Sequence, residues 1–285
     1  MVIKEEKNIP IKGFHGRPVV ADVVYSEGGG KKPVVLFCHG YKGFKDWGAW
    51  NLMAREFAKN GFFFVKFNFA FNGGTIDEPL DFPDLEAFGE NTFTKELDDL
   101  ETMLDWICGA GFEFKSYADT EDLGLIGHSR GGGIAIIKAA EDDRVKKLIT
   151  LASVSDFGTR FPKGMELQTW KQKGIAYVEN SRTKQMMPHL YEFYANFKEH
   201  EERLTISRAA GELKIPFLIV HGSQDPTVDV ENARHLEKWV PQSQLLLLEG
   251  SNHVFEASHP WDEEKLPLNL QNLIDRSVLF LKEDH

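Results

Sequence analysis

The apolar run Leu123-Gly124-Leu125-Ile126 is followed at once by Gly127-His128-Ser129-Arg130-Gly131-Gly132-Gly133, and then by Ile134, Ile137 and Ala140 at helical spacing. A short apolar run reads as a strand buried on both faces of a sheet, and the change of period after it reads as a helix. The turn between them has few residues in which to change direction. It forces Ser129 into a strained backbone conformation, and only small neighbours let strand and helix approach, which Gly127 and Gly131 satisfy. In that context Gly127-x-Ser129-x-Gly131 presents a serine hydroxyl at the edge of a sheet. A phosphate-cradling loop fits less well, because no Gly-Lys-Ser/Thr ending follows and three glycines at dinucleotide spacing are absent.

The rest of the chain repeats this alternation. Gly16 to Tyr25 suits leading extended structure, set off by Gly28-Gly29-Gly30, and Pro33 to Cys38 is a second buried strand ending in His39-Gly40. Trp50, Met53, Ala54, Phe57 and Ala58 predict a helix over 47–59 with Asn60-Gly61 as its stop, and Phe62 to Phe69 a further strand. A loop from Ala70 to about Asn91 is longer than a passive connection needs, so it is expected to shape a site. Phe93, Leu97, Leu100, Leu104 and Ile107 then mark an amphipathic helix. Strands at 145–152, 216–220 and 244–248 and helices at 230–240 and 268–281 complete an α/β series, which implies a mostly parallel sheet with right-handed crossovers. Between Asp156 and about Leu213 the alternation breaks into aromatic and polar residues. The expected organisation is one core domain over 1–155 and 214–285, with a small, mainly helical cap insertion at 156–213.

A chain of 285 residues with 42% hydrophobic content can bury a sizeable core. Its formal charge of -11 disfavours nucleic acid, whose phosphates are held by many Lys and Arg side chains. Met1 to Pro10 mixes Lys4, Glu5, Glu6 and Lys7 with few apolar residues, so neither a signal peptide nor a membrane span is expected there, and the cytoplasm is the expected compartment. Cys38 and Cys108 are too few for a disulfide framework and read as packing residues.

A serine hydroxyl attacks a carbonyl only with a histidine base, which in turn needs a carboxylate to orient it. Asp225 follows the apolar strand ending at Val220, and His253 follows the strand ending at Leu248, so both would project from the carboxyl edge where parallel sheets assemble sites. Ser129, Asp225 and His253 are therefore the candidate catalytic residues, with Asp229 as an alternative acid and the better helix cap. His259 reads as a surface residue, and His39, His128 and His221 as packing or backbone-bonding residues. No metal-ligand spacing is present, and no metal or cofactor is expected. Two backbone N–H donors for a developing oxyanion are expected from Tyr41 and Arg130. The Tyr41 side chain either touches substrate or packs beneath the cap, while the Arg130 guanidinium is expected in an ion pair.

Taken together, His39-Gly40-Tyr41, the elbow around Ser129, Asp225 and His253 resemble the α/β-hydrolase superfamily, and within it the carboxylesterase branch of cinnamoyl and feruloyl esterases and dienelactone-hydrolase-like proteins. The resemblance implies an eight-stranded, mostly parallel sheet with one early antiparallel strand, helices on both faces, and a two-step acyl-enzyme mechanism without a cofactor. Dehalogenases and epoxide hydrolases of that superfamily carry aspartate where this chain has Ser129. The expected substrate is a small carboxylic ester, with no nucleic-acid or membrane partner. A peptidase or amidase, and a non-catalytic ligand-binding protein, stand as alternatives.

Overall fold

The computed structural model describes residues 2–283. Among these residues eight strands form one sheet: β1 (Ile3–Lys12), β2 (Pro18–Ser26), β3 (Lys32–Cys38), β4 (Phe63–Asn68), β5 (Ala118–His128), β6 (Val145–Leu151), β9 (Phe217–Gly222) and β10 (Gln244–Leu248), in the spatial order β1-β2-β4-β3-β5-β6-β9-β10. Only β2 runs against its neighbours, pairing antiparallel with β1 and β4, while every other ladder is parallel. This is the expected mostly parallel sheet.

The apolar runs alternate between its two faces. In β3, Val34, Leu36 and Cys38 join one hydrophobic cluster and Val35 and Phe37 the other. The first face is covered by α3 (Phe93–Cys108), α4 (Arg130–Glu141) and α8 (Glu231–Trp239), the second by α1 (Trp50–Lys59) and α9 (Leu268–Lys282). A sheet buried on both faces cannot alternate polar and apolar residues, which is why its central strands read as unbroken apolar runs. Strand order reverses around β3, with β4 on one side and β5 on the other. A crevice therefore opens at the carboxyl ends of the strands there.

One feature departs from the sequence expectation, and the segment 156–213, mainly helical as expected, adds a hairpin to it. Residues 3–12 form β1, where no element was expected. Its Lys and Glu residues lie on an edge that solvent reaches, so no apolar pattern announces it, and its register shifts between Glu6 and Ile9. Residues 156–213 hold a short 3-10 turn at 158–160, α5 (Gly164–Lys173), α6 (Glu192–Glu199) and α7 (Ile206–Glu212), but also an antiparallel hairpin of β7 (Ile175–Glu179) and β8 (Met186–Leu190). Phe157, Phe161, Trp170, Phe193, Phe197 and Ile206 from this segment belong to the same cluster as α3 and α4, so it grows out of the core. The long loop contains one short helix, α2 (Leu85–Gly89), capped by Asp84, whose carboxylate accepts from the Ala87 N–H at 2.9 Å. Among the described residues no helix is long and apolar enough to cross a membrane.

Candidate active site

Ser129 stands between β5 and α4 with φ 57° and ψ −120°. A non-glycine residue at such a backbone position is strained and persists only where its surroundings over-determine it. They do so here. A Cβ on Gly127 would lie 2.4 Å from the Gly131 carbonyl oxygen, and one on Gly131 would lie 2.3 Å from the His39 carbonyl oxygen. The Ser129 N–H also donates to the Leu151 carbonyl at 2.8 Å, which ties the turn to the next strand.

The three side chains named from sequence come together from three different strand ends. Ser129 Oγ lies 3.0 Å from His253 Nε2, and His253 Nδ1 lies 2.7 Å from Asp225 Oδ2. With Nδ1–H donated to the carboxylate, the Nε2 lone pair faces the hydroxyl and can take its proton. Asp225 is fixed in turn, since its Oδ1 accepts from the Thr227 and Val228 N–H groups at 2.8 and 2.9 Å, and His221 Nε2 stands 3.4 Å from Oδ2. Burial alone would raise the Asp225 pKa, but the His221 Nε2–H, shared with the Val228 carbonyl, the His253 Nδ1–H and the Val228 N–H hold it well below the usual carboxylate range. Asp229 lies apart from the histidine, its carboxylate accepting from the Glu231 N–H at 2.9 Å at the start of α8.

The neighbouring histidines bond to backbone. His128 Nε2–H donates to the His253 carbonyl at 3.0 Å, His39 Nδ1–H to the Gly40 carbonyl at 2.9 Å, and His221 Nε2–H to the Val228 carbonyl at 2.8 Å. His259 is not a free surface residue: it is half-buried between Phe44 and Trp47 and accepts from the Gly48 N–H at 2.9 Å. Proline beside it and polar neighbours gave no sign of those aromatic partners. The Cys38 and Cys108 thiols are free, and burial pushes both upward, away from the thiolate. Among the described residues no cluster of three or more His, Cys, Asp or Glu side chains is arranged to hold a metal ion.

Burial pushes His39 down to about 4 and His128 down to about 3, so both are neutral in the folded protein. In the unfolded chain they titrate near 6.5. As pH falls from 7 towards 4 the unfolded state takes up protons that the folded state refuses, and stability falls by up to about 1.4 kcal/mol per pH unit for each of the two. Urea midpoints at pH 7 and pH 5 are expected to drop accordingly, and less steeply in His128→Asn. Equal slopes in the two proteins would remove His128 from this account.

Arg130 is the first residue of α4, where backbone N–H groups lack partners within the helix. Gly40 brings the chain after β3 against the serine, since a Cβ there would lie 2.9 Å from Ser129 Cβ, and Tyr41 is the next residue. The Tyr41 hydroxyl, pushed up to about 12 by burial, donates to His189 Nε2 at 2.7 Å. Burial and the nearby Arg130 charge hold His189 down to about 4. The Arg130 guanidinium forms an ion pair with Glu96 at 2.8 Å and lies over the rings of Phe93 and Phe193, at 4.7 and 4.9 Å from their centroids.

Beside Ser129 a cavity of about 380 Å³ runs under the 156–213 segment, walled by Phe93, Phe157, Phe161, Trp170 and Phe193 together with Tyr41, Arg130 and His189. The aromatic residues serve two purposes at once: Phe93 and Phe157 stack with centroids 4.0 Å apart as core, and their rims form the wall. No Asp or Glu among the described residues lines it. Glu96 and His189 were not singled out from sequence. Each takes its place through a contact made across the fold, to Arg130 in one case and Tyr41 in the other, and no local pattern encodes such a contact.

A family model described as the alpha/beta hydrolase fold matches residues 33–188 and 164–260. An uncharacterized 31.7 kDa protein in the traX-finO intergenic region of Escherichia coli is 26% identical over 134 residues, which span 46% of this chain and 40% of that protein. Est1E from Butyrivibrio proteoclasticus, solved with ferulic acid bound, superposes with a TM-score of 0.69 at 17% identity, covering 96% of this chain and 98% of that one. A putative dienelactone hydrolase from Klebsiella pneumoniae superposes with a TM-score of 0.63 at 14% identity over the whole of both chains. At these identities the two structures bear on the fold.

Proposed function

The chain belongs to the alpha/beta hydrolase fold family, and from that premise we propose that it is a serine hydrolase that cleaves a small carboxylic ester through an acyl-enzyme on Ser129. The observation that carries this reading is the unbroken relay from Ser129 Oγ through His253 to Asp225 at the wall of an apolar cavity. His253 Nε2 takes the Ser129 proton as Oγ bonds to the ester carbonyl carbon. The carbonyl oxygen becomes an anion, for which the Tyr41 and Arg130 N–H groups are the proposed donors. Collapse breaks the bond to the alcohol oxygen, which leaves with the proton from His253. Water then repeats the sequence, its proton passing to His253 and its oxygen to the acyl carbon, and the acid is released as the proton returns to Ser129. Asp225, held ionised, stabilises the imidazolium that forms twice in each cycle.

Residues 156–213 act in this reading as the cap over the acyl group, and the aromatic cavity wall favours an apolar or aromatic acyl chain. Ferulic acid bound to the similar fold of Est1E supports an aromatic one. A cavity wall without Asp or Glu offers no counter-ion for a peptide amino terminus, which favours an ester over an aminopeptidase substrate. The two free thiols suit the reducing cytoplasm proposed for the protein.

A panel of aryl and alkyl esters of increasing acyl length, run beside the matching anilides, tests the proposal. Ester turnover that peaks at an acyl group of aromatic size and is absent for anilides is the expected result. Anilide cleavage at a comparable rate would move the amidase reading ahead, and no turnover combined with no labelling by a fluorophosphonate would leave a ligand-binding protein.

A further inference from the structure

Asp22 on β2, Lys66 on β4 and the consecutive pair Lys45-Asp46 between β3 and α1 close a ring of four charges. Lys66 Nζ lies 2.5 Å from Asp22 Oδ2 and 2.6 Å from Asp46 Oδ1, and Lys45 Nζ lies 2.7 Å from Asp22 Oδ1 and 2.5 Å from Asp46 Oδ2. Their side chains are 0%, 0%, 1% and 11% exposed for Asp22, Lys66, Lys45 and Asp46. The ring is electrically neutral, and it is stitched to the backbone on both sides. The Asn8 N–H, at the register shift of β1, donates to Asp22 Oδ1 at 2.8 Å, and the Lys45 N–H donates to Asn68 Oδ1 at 2.6 Å.

None of the four residues lines the cavity beside Ser129. Nor is stability a sufficient reason for them, because taking four charges out of water is costly and apolar residues in such places are often as stabilising or more so. The segment 40–49 that carries Lys45 and Asp46 has no helix or strand of its own, and it begins at Gly40 and Tyr41, against Ser129. Its internal backbone bonds are short-range turns, Gly43 N–H to Gly40 and Trp47 N–H to Phe44. Its ties to β2 and β4 run through the charges of Lys45 and Asp46 and through the Lys45 N–H on Asn68.

We infer that the buried ring of Asp22, Lys45, Asp46 and Lys66 is a positioning device that anchors the segment 40–49 to the sheet and so sets the Tyr41 N–H where the oxyanion forms. The inference rests on the serine hydrolase reading above. An oxyanion donor works only when already aimed at the place where charge develops, and removing one outright costs roughly 10²- to 10³-fold in kcat. A donor displaced by a fraction of an ångström loses part of that.

The test compares wild type with Lys45→Met/Asp46→Leu, which removes one charge of each sign and leaves the Asp22 and Lys66 pair matched, and with Asp46→Asn, which keeps the shape. Each is assayed with an ester that wild type hydrolyses, and each is titrated with the product acid and with a boronic acid bearing the same acyl-side group, whose tetrahedral adduct on Ser129 places an oxygen where the oxyanion would sit. The double variant is expected to fold, to lose roughly 10- to 100-fold in kcat with KM within about threefold of wild type, and to lose boronate affinity in parallel while product-acid affinity holds. A folded double variant with wild-type kcat overturns the inference. So does a parallel loss of product-acid affinity, which marks general distortion, or failure of the charge-matched double variant to fold, which assigns the ring to stability. If wild type itself shows no turnover that depends on Ser129, the hydrolase reading fails first and takes the ring's role with it, a result separate from the others.

Discussion

Ser129→Ala and His253→Ala are each expected to lose at least roughly a thousandfold in kcat/KM for the preferred ester, with melting temperature nearly unchanged. The size of the effect follows from the geometry. Without Oγ no acyl bond forms, and without the imidazole no base is hydrogen-bonded to Oγ, since burial holds His39 down to about 4 and His128 down to about 3, too weakly basic to take its proton. Residues that act as one unit do not add, so the double variant is expected to be no slower than the worse single. Asp225→Asn should fall on the order of ten-thousandfold, because an amide in that place takes away the negative charge that favours the imidazolium and the Nδ1–H tautomer. Steady-state kinetics on the four proteins check all of this together. Multiplying losses in the double variant would mean that Ser129 and His253 work independently, and the relay would have to be abandoned.

Gly131→Ala should be nearly as damaging although it touches no reacting atom. Its new methyl group would stand 2.3 Å from the His39 carbonyl oxygen and 2.9 Å from that of Cys38, both main-chain atoms of the segment leading into Gly40. A flexible side chain could yield to that contact, but backbone inside a parallel ladder cannot, so α4 must draw back from β3 and carry Ser129 and the Arg130 N–H with it. An ångström of displacement at a reacting group costs on the order of a hundredfold in rate, and the overpacking itself about 1–3 kcal/mol of stability. Gly211→Ala, within α7, is the matched control, for a Cβ there meets nothing within 4 Å. It should keep full activity and gain up to about 1 kcal/mol, because alanine gives the unfolded chain fewer conformations to lose where the native backbone suits it. Kinetics and urea unfolding on both variants decide the matter, and wild-type rates for Gly131→Ala would show that the elbow tolerates a looser strand–helix approach.

The glycines around Ser129 show why so much of the site was legible beforehand. A sharp turn between a buried strand and a helix leaves its mark locally, in residue size, and Asp225 and His253 each sit just after an apolar run that names its own strand. The same logic explains what was not legible. In β8, Met186-Met187-Pro188-His189-Leu190 has no alternation and carries a proline, so nothing local marks it as a strand; it pairs only with β7 in a hairpin. His189 and Glu96 acquire their roles from Tyr41 and Arg130, which lie far from them in the chain. The four buried charges stayed hidden for a similar reason, because Lys45-Asp46 looks like any solvated pair until β2 and β4 supply the opposite charges.

β1, the strand that sequence patterning passed over, has a bearing on how the molecule behaves among its own copies. An outermost strand offers unpaired N–H and C=O groups to any other extended chain, and a flat apolar one invites stacking into aggregates. Here that margin is broken by a register shift between Glu6 and Ile9, turns an Asn8 amide inward to Asp22, and sets Lys4, Glu5 and Lys7 along its length, with Lys4 paired to Glu27 and Glu5 held by Arg55. A second molecule approaching in extended pairing would have to strip those charges of water and would find the ladder out of step after a few residues. The poorly patterned margin thus works against edge-to-edge pairing of a sheet this apolar at its centre.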